Sequence, residues 1–281
     1  MRRVVLTAAA AALVAVGATA AQAATPLPTR VYAPYFETWT TDSLTTTAEE
    51  SGSPYFTLAF LETLSKTSCT LAWNGSRSDP VSNGRYLSDI ASLRALGGDV
   101  VPSFGGWSAD QGGTEIADSC KDVNSIAAAY EDVVTRYDVS RLDMDVEGRS
   151  LNRSDGIDRR NKALKLVEDW AAGQRRPFQV SYTVPTSASG LESSGVAILQ
   201  NAIANGTRVD IVNIMAFDYY DHVTTDMGTA AINAANGLST LSIWAIQRDN
   251  GGCPGVTGSN SCSGIAQNTW DFTHVLQPFT G

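Results

Sequence analysis

Hydrophobic and polar positions follow two different periods along most of this chain. Short runs rich in β-branched and aromatic residues predict strands over residues 30–36, 55–61, 99–104, 141–147, 178–184, 209–217 and 241–246. Several of the stretches between these runs place apolar residues three and four positions apart, which is the helical period. Strand and helix therefore alternate, and this order is typical of a parallel sheet covered by helices.

Three stretches carry the helical period most clearly. The stretch 122–138 repeats apolar residues at Ile126, Tyr130, Val133, Val134 and Tyr137. A second helix is predicted to bury a face made of Ala163, Leu166, Val167 and Trp170. The third stretch, 193–206, ends at Gly206, as helices often do. Within a single domain of this size, the pattern predicts a parallel sheet that is either doubly wound or closed as a (β/α)8 barrel.

The first 23 residues have a different character from the rest of the chain. Two arginines precede an apolar run over residues 4–16, and small residues follow up to Ala-Gln-Ala at 21–23. This pattern predicts a secretory signal peptide whose apolar core is too short for a membrane anchor. We expect cleavage after Ala23, a secreted extracellular protein with no membrane partner, and a single domain over residues 24–281.

Charge and cysteine content narrow the function classes further. The formal net charge is −9, and an acidic surface repels nucleic acid and anionic lipid. An even number of cysteines in an exported chain predicts two disulfides. Four cysteines allow three connectivities, and the expected pairs are Cys69–Cys120 and Cys253–Cys262. With no CxxC pattern, and with His222 and His274 far apart, we expect no metal site and interpret both histidines as isolated loop or surface residues.

The stretch RLDMDVEG at 141–148 sets Asp143, Asp145 and Glu147 at alternate positions of an apolar run. Alternate residues of a strand share one face, so these three carboxylates point together. In a barrel that face is the interior, and Glu147 lies nearest the carboxyl-terminal mouth, where barrel enzymes keep their active sites. Burying three like charges is costly and is tolerated where chemistry needs it. An exposed edge strand and an oxygen-ligand cation site are the alternatives.

The same residues resemble the signature of a known family. LDMDVE is similar to the DxxDxDxE motif on the fourth barrel strand of family 18 glycoside hydrolases, which include chitinases and endo-β-N-acetylglucosaminidases. Three further motifs of the family have counterparts in the expected order along the chain. They are SFGG (103–106), which precedes LDMDVE, and MAFD (215–218) and SIW (242–244), which come after it. With four motifs in order over most of the chain, the sequence resembles compact bacterial chitinases of this family, which implies a hydrolase.

The resemblance implies roles for the three carboxylates. Glu147 would protonate the glycosidic oxygen and later activate water. The N-acetyl oxygen of the substrate would act as the nucleophile, with retained anomeric configuration. Asp145 would orient the acetamido group, and Asp143 would share a proton with Asp145. The implied substrate is chitin or another N-acetylglucosamine glycan, with the chitobiose core of N-glycans as the alternative, and no cofactor is expected.

The resemblance also implies substrate-binding residues around the mouth. Trp244 would stack on the sugar before the scissile bond, and ordinary core packing is the alternative for this residue. The loop tryptophans Trp39, Trp73 and Trp107 either extend the cleft or cap the barrel rim, whereas Trp170 is expected in the core. The expected substrate-binding set is Gly105, Gly106, Trp107, Met215, Asp218, Tyr219, Tyr220 and Trp244.

Two single-residue departures from the family pattern affect the expected site. Ser140 stands at the first aspartate of the signature, and we expect tuning of activity rather than its loss. Phe217 replaces a tyrosine that donates a hydrogen bond to the acetamide in many family members. Tyr182, Tyr219 or Tyr220 is expected to supply that donor instead.

A larger departure lies between Tyr220 and Trp244. Only about 23 residues are available there, whereas a barrel spends roughly 30 on each βα unit. The pattern offers one short helix over 229–236 and no strand, so the predicted fold is an α/β barrel of the (β/α)8 type that lacks the seventh βα unit. The gap raises two alternatives to a hydrolase, namely a glycan-binding protein with weak or no activity and a remnant that does not fold stably. A monomer is expected, with self-association through the gap as the alternative.

Overall fold

The computed structural model describes residues 27–187, 190–216, 240–241, 243–256 and 259–277. The predicted signal peptide lies outside the described residues. The strands are β1 Val31–Tyr32, β2 Tyr35–Glu37, β3 Tyr55–Thr63, β4 Leu71–Trp73, β5 Asp99–Gly105, β6 Arg141–Asp145, β7 Gln179–Ser187, β8 Gly190–Leu191, β9 Ile211–Met215 and β10 Thr240–Leu241. The α-helices are α1 Leu44–Ser51, α2 Leu87–Ala95, α3 Gly106–Gly112, α4 Ile116–Ser119, α5 Val123–Tyr137, α6 Ser154–Gly173, α7 Ser193–Ala204 and α8 Asp271–Leu276.

The main sheet is parallel and follows the chain order β2, β3, β5, β6, β7 and β9. β4 and β8 add short antiparallel pairs to β3 and β7. The predicted first strand is divided into β1 and β2 at Ala33 and Pro34, because proline cannot donate a ladder hydrogen bond. Each parallel step crosses over through at least one helix, as the alternating pattern predicted.

The sheet curls so that β10 lies between its two ends without forming a ladder with β9 in the described residues. β10 pairs in parallel with β1, and the Tyr35 amide then donates to the carbonyl of Ile243 at 3.0 Å. Cα atoms of β9 and β10 also come within 8 Å of each other. The predicted α/β fold of the TIM-barrel type is therefore confirmed, and the strands of the described residues form an incomplete barrel. The short helix predicted over 229–236 lies outside the described residues.

The main core lies between the outer face of the sheet and the helices. Leu142, Met144 and Val146 of the fourth barrel strand point outward into it. The predicted face of α5 is confirmed, since the five apolar residues that define this face are all buried. The alternation along residues 141–146 therefore separates an outward apolar face from an inward polar one.

The predicted face of α6 was wrong at Leu166, which is 39% exposed. The buried stripe runs instead through Arg160, Leu164, Val167 and Ala171. Arg160 belongs to this stripe because its guanidinium forms a fully buried ion pair with Glu115 at 2.9 Å. The hydrophobic pattern treats arginine as a surface residue. It therefore predicted Leu166, rather than Arg160, on the buried face of α6.

Both expected disulfides are present, Cys69–Cys120 and Cys253–Cys262, with Cα–Cα distances of 4.8 and 5.9 Å. The first disulfide ties the segment after β3 to the end of α4, and the second closes a loop that precedes α8. Among the residues described, no helix combines the length and the apolar character needed to cross a membrane.

Candidate active site

β6 carries Asp143 and Asp145 on its inward face. Asp143 lies between Ser103 of β5 and Ser181 of β7, and Asp145 lies between Gly105 and Thr183. Both carboxylates are 3% exposed. Because β6 is paired on both sides within a buried sheet, the edge-strand alternative was wrong.

Asp143 is surrounded by hydroxyl donors. Ser103 Oγ and Tyr35 Oη donate to Asp143 Oδ2 at 2.7 and 3.0 Å, and Thr183 Oγ1 donates to Oδ1 at 2.8 Å. Burial raises the pKa of Asp143, while hydrogen bonds from these hydroxyls and from Ser181 act in the opposite direction. Ser103 is the first residue of the SFGG motif, but sequence reasoning missed Tyr35 and Thr183.

Asp145 has a different environment, although it lies only two residues further along the strand. Its Oδ1 atom is buried and has no hydrogen-bond partner among the described residues. Burial raises the pKa of Asp145 well above its ordinary value, and the charges of Glu147, Asp143 and Asp110 raise it further. Asp145 is therefore a buried acid with an acceptor oxygen available to a ligand and with carboxylates as its charged neighbours.

Glu147 lies beyond the end of the strand. β6 ends at Asp145, although the Val146 amide still donates to the Thr183 carbonyl at 2.9 Å. Glu147 is half-buried at the carboxyl-terminal mouth, and its backbone N–H donates to the carboxylate of Asp110 on α3. The strand prediction was thus two residues too long, and Asp110 is a site residue that the sequence motifs did not indicate.

Gly105 and Gly106 allow the backbone of β5 and α3 to approach the site closely. A Cβ on Gly105 would lie 2.1 Å from the Asp145 carbonyl oxygen, and one on Gly106 would lie 2.6 Å from the ring of Phe60. Both residues also have positive φ, at 99° and 80°. Their packing therefore requires glycine, and contact with substrate stays a prediction.

Aromatic side chains form a cluster at the mouth. Trp244 is half-buried, with its ring 5.4 Å from Phe60 at an interplanar angle of 11° and 5.4 Å from Tyr35. Trp39 lies 6.1 Å from Trp244 and is 43% exposed. Trp244 thus links the exposed rim to Tyr35, which contacts Asp143.

The other predicted aromatic positions divide between surface and core. Trp107, the second residue of α3, is 60% exposed beside the site. Trp73 is fully buried, and its Nε1–H donates to Tyr137 Oη at 2.9 Å. The two predictions for Trp73, that it extends the cleft or caps the barrel rim, were therefore both wrong. Trp170 packs against the core as expected.

Strand β9 supplies one further predicted residue. Met215 ends this strand beside Pro185 and is buried. The other predicted residues of this segment, namely Phe217, Asp218, Tyr219 and Tyr220, lie outside the described residues.

Tyr182 does not face the site, because it occupies the outward face of β7. Its hydroxyl donates to Asn161 Oδ1 of α6 at 2.5 Å. The suggestion that Tyr182 replaces the donor lost at Phe217 was therefore wrong, since Ser181 and Thr183 are the inward residues of that strand.

Within the described part of the chain, no group of three or more His, Cys, Asp or Glu side chains is arranged to hold a metal ion. The oxygen-ligand alternative for the carboxylates therefore finds no support in these residues. The site contains several protonatable carboxyl groups at the carboxyl end of a barrel. Such groups can act as the general acid and base of a hydrolysis reaction.

Comparison with known proteins identifies the class. Residues 31–261 match the sequence model of "Glycosyl hydrolases family 18". A "Probable bifunctional chitinase/lysozyme" of Escherichia coli (strain K12) is 32% identical over 218 residues, which are 77% of this chain and 24% of that protein. "Endochitinase 11" of Metarhizium anisopliae is 32% identical over 219 residues, or 77% of this chain and 40% of that protein. This chain belongs to family 18 of the glycosyl hydrolases, and it spans well under half the length of these two relatives.

Solved structures agree with the fold. The catalytic domain of a hyperthermophilic chitinase from Pyrococcus furiosus superimposes with a TM-score of 0.78 at 24% identity, over 91% of this chain and 96% of that domain. Catalytic-site mutants of active domain 2 of the Pyrococcus furiosus thermostable chitinase, complexed with chito-oligosaccharides, give a TM-score of 0.76. The fold described above is thus similar to the barrel of these chitinase domains.

Proposed function

We propose that this protein is a secreted chitinase that hydrolyses β-1,4-linked N-acetylglucosamine polymers or oligomers with retention of configuration. The observation that carries the proposal is Asp145, which is buried between Asp143 and Glu147 with one acceptor oxygen unpartnered among the described residues. The relatives named as chitinases support the substrate class.

In the first step Glu147 acts as the general acid. From the mouth of the barrel it gives its proton to the glycosidic oxygen as the C1–O bond breaks. Asp145 accepts the N–H of the substrate's acetamido group through Oδ1 and holds the acetamide oxygen against C1. The acetamide oxygen forms the new bond to C1, and the negative charge around Asp145 stabilises the resulting oxazolinium ion.

In the second step Glu147 acts as the base. It removes a proton from water, which attacks C1 and reopens the oxazolinium ring, so the sugar leaves with its original configuration. Asp143, fixed by three hydroxyl donors, holds Asp145 in place from below and shares its proton.

The deciding experiment is hydrolysis of a fluorogenic chitooligosaccharide by the wild type and by Glu147→Gln. Loss of a general acid–base predicts a fall in kcat of about 10²- to 10⁴-fold. Glu49→Gln, which changes an exposed glutamate on α1, is the matched control and should keep full activity. A folded wild type that is no faster than Glu147→Gln would contradict the proposal.

Two further measurements test the mechanism separately from the activity. A cello-oligosaccharide has the same β-1,4 linkage but no acetamido group, so substrate-assisted hydrolysis predicts no turnover of it. NMR of the first-formed product should detect the β-anomer. An α-anomer as the first product would exclude the retaining mechanism while leaving the hydrolase activity standing.

Export is the second part of the proposal. It is supported by the pattern of residues 1–23 and by the two disulfides, which form and persist in oxidising compartments. Expression of the full chain in a secreting host should release a protein whose amino terminus is Ala24. Retention of the unprocessed chain in the cytoplasm would contradict export.

Glycan binding without hydrolysis is the second candidate. It is favoured by the incomplete barrel, in which the described residues provide no hydrogen-bonded strand on the far side of β9. The same experiment separates the two candidates, because a binding protein would retain chitooligosaccharide in equilibrium dialysis without any turnover.

A further inference from the structure

The helix that follows the SFGG motif carries a buried acid with no assigned role. α3 starts directly at the end of β5, and its inner face brings Asp110 beneath the loop that holds Glu147. Asp110 is 1% exposed. Its Oδ2 accepts the backbone N–H of Glu147, and its Oδ1 is buried without a hydrogen-bond partner among the described residues.

The loop after β6 is held from the same side at a second point. Ser150 Oγ donates to Asp118 Oδ2 at 2.7 Å, and Arg153 Nε lies 3.2 Å from Asp118 Oδ1. α3 also packs closely on the residue after Glu147, since a Cβ on Gly148 would lie 2.5 Å from Gln111 Nε2. The position of Glu147 is thus fixed by α3, while Asp118 fixes the loop three residues later.

Asp110 also acts on the reacting carboxylates through its charge. The Asp110 carboxylate contributes to the raised pKa of Asp145, after burial and the charges of Glu147 and Asp143. Burial and the charge of Glu115 raise the pKa of Asp110 itself, against the Glu147 amide and Arg160, which lower it. Ser150 also lowers the pKa of Asp110. Asp110 is thus connected to Glu147 by a hydrogen bond and to Asp145 by charge.

We propose that Asp110 is a positioning residue for hydrolysis, because its carboxyl group fixes the backbone of Glu147 at the barrel mouth. This inference rests on the proposed function. It assigns to α3, immediately after the SFGG motif, a part in the reaction through Glu147 rather than through contact with substrate.

The test uses two variants that differ in the acceptor they offer to Glu147. Asp110→Asn keeps an oxygen that can accept the Glu147 N–H, whereas Asp110→Ala removes this acceptor. Asp99→Asn is the matched control, because Asp99 is a buried aspartate at the opposite end of β5, away from the site. The measurements are kcat and KM on a fluorogenic chitooligosaccharide, together with Tm.

For Asp110→Ala we expect kcat per folded molecule to fall about 10- to 100-fold, with KM changed less than about twofold, because misplacing a catalytic group by about 1 Å has effects of this size. For Asp110→Asn we expect a smaller loss of kcat than for Asp110→Ala, because its side-chain oxygen can still accept the Glu147 N–H. Asp99→Asn should lower Tm without lowering kcat per folded molecule.

Two results would overturn the role of Asp110 while the wild type stays active. One is an Asp110→Ala variant with the same kcat per folded molecule as Asp99→Asn, and the other is an Asp110→Asn variant that loses as much kcat as Asp110→Ala. A wild type that is no faster than Glu147→Gln would overturn the proposed function as well, so the two failures are distinguishable.

Discussion

The two ends of the barrel treat buried carboxylates in opposite ways. At the amino-terminal end, Asp99 accepts two hydrogen bonds from Arg94, at 3.1 and 2.9 Å, and the same guanidinium also reaches the carbonyls of Tyr137 and Asp138. At the carboxyl-terminal end, the charges that act on Asp145 come from three other carboxyl groups. At the amino-terminal end an arginine neutralises the buried carboxylate, whereas at the carboxyl-terminal end several carboxyl groups lie close together.

Strands β5 and β6 thus contribute to stability at their amino-terminal ends and to function at their carboxyl-terminal ends. A buried carboxylate that is fully paired with arginine is held in a single arrangement and completes the barrel floor. A carboxylate crowded by like charges costs free energy of folding, and its hydrogen-bonding capacity remains for a ligand. Variants at the two ends should therefore show opposite effects on stability and on activity.

The largest effect on stability is expected from Arg94→Ala. It leaves Asp99 buried without its cation, which predicts a loss of about 3–5 kcal/mol in the free energy of unfolding. Urea denaturation measures this loss, and the activity of the remaining folded protein should not change. Arg136→Ala, which breaks the half-exposed pair with Asp132, is the control and should cost less than about 1 kcal/mol. Equal losses in the two variants would contradict the comparison.

At the opposite end, Asp145→Asn should stabilise the protein while removing its activity. The substitution relieves the crowding of carboxylates, and a gain of about 0.5–2 kcal/mol is expected. We expect kcat on a chitooligosaccharide to fall at least about 100-fold, because the acetamido group loses its charged partner. A variant that is both less active and less stable would show that Asp145 supports the fold rather than the reaction.

The stability of the protein should also depend on pH through Asp145. Its pKa is raised above the ordinary value of 3.8, so the native state holds this proton more tightly than the unfolded state does. The resulting stability is fully present below about pH 4 and is lost as pH rises through the raised pKa, by about 1.4 kcal/mol per pH unit. Denaturation at pH 4 and pH 7 should show the advantage of Asp145→Asn growing with pH; parallel curves would contradict this expectation.

The smallest effect is expected from Ser103→Ala. Asp143 would lose the donor at 2.7 Å but keep Tyr35 and Thr183, so a loss of about 1–2 kcal/mol in stability and a fall in kcat of less than about tenfold are expected. Ser51→Ala is the control, because its buried hydroxyl donates to Thr47 within α1, away from the site. If Ser51→Ala lowers kcat as much as Ser103→Ala, the hydroxyl shell of Asp143 has no special role.

Local patterns in the sequence were enough to predict a parallel α/β sheet, most strands and the shared face of Asp143 and Asp145, whereas the barrel type was implied by the family resemblance. Strand and helix periods depend on neighbours only two to four positions away, so a single chain displays them directly. The same locality explains the error at Leu166, because the buried stripe of α6 is set by a distant partner of Arg160 that no helical period can show.

What the sequence determined by itself is thus the order of the elements and the inward carboxylates of β6. Only the tertiary structure decided which groups surround these carboxylates. Tyr35 lies 108 positions from Asp143, and Asp110 lies 37 from Glu147, so these contacts exist only once parallel strands bring their carboxyl ends together. The physical reason is that hydrogen bonds and charge coupling depend on distance in space, whereas a sequence pattern records only distance along the chain.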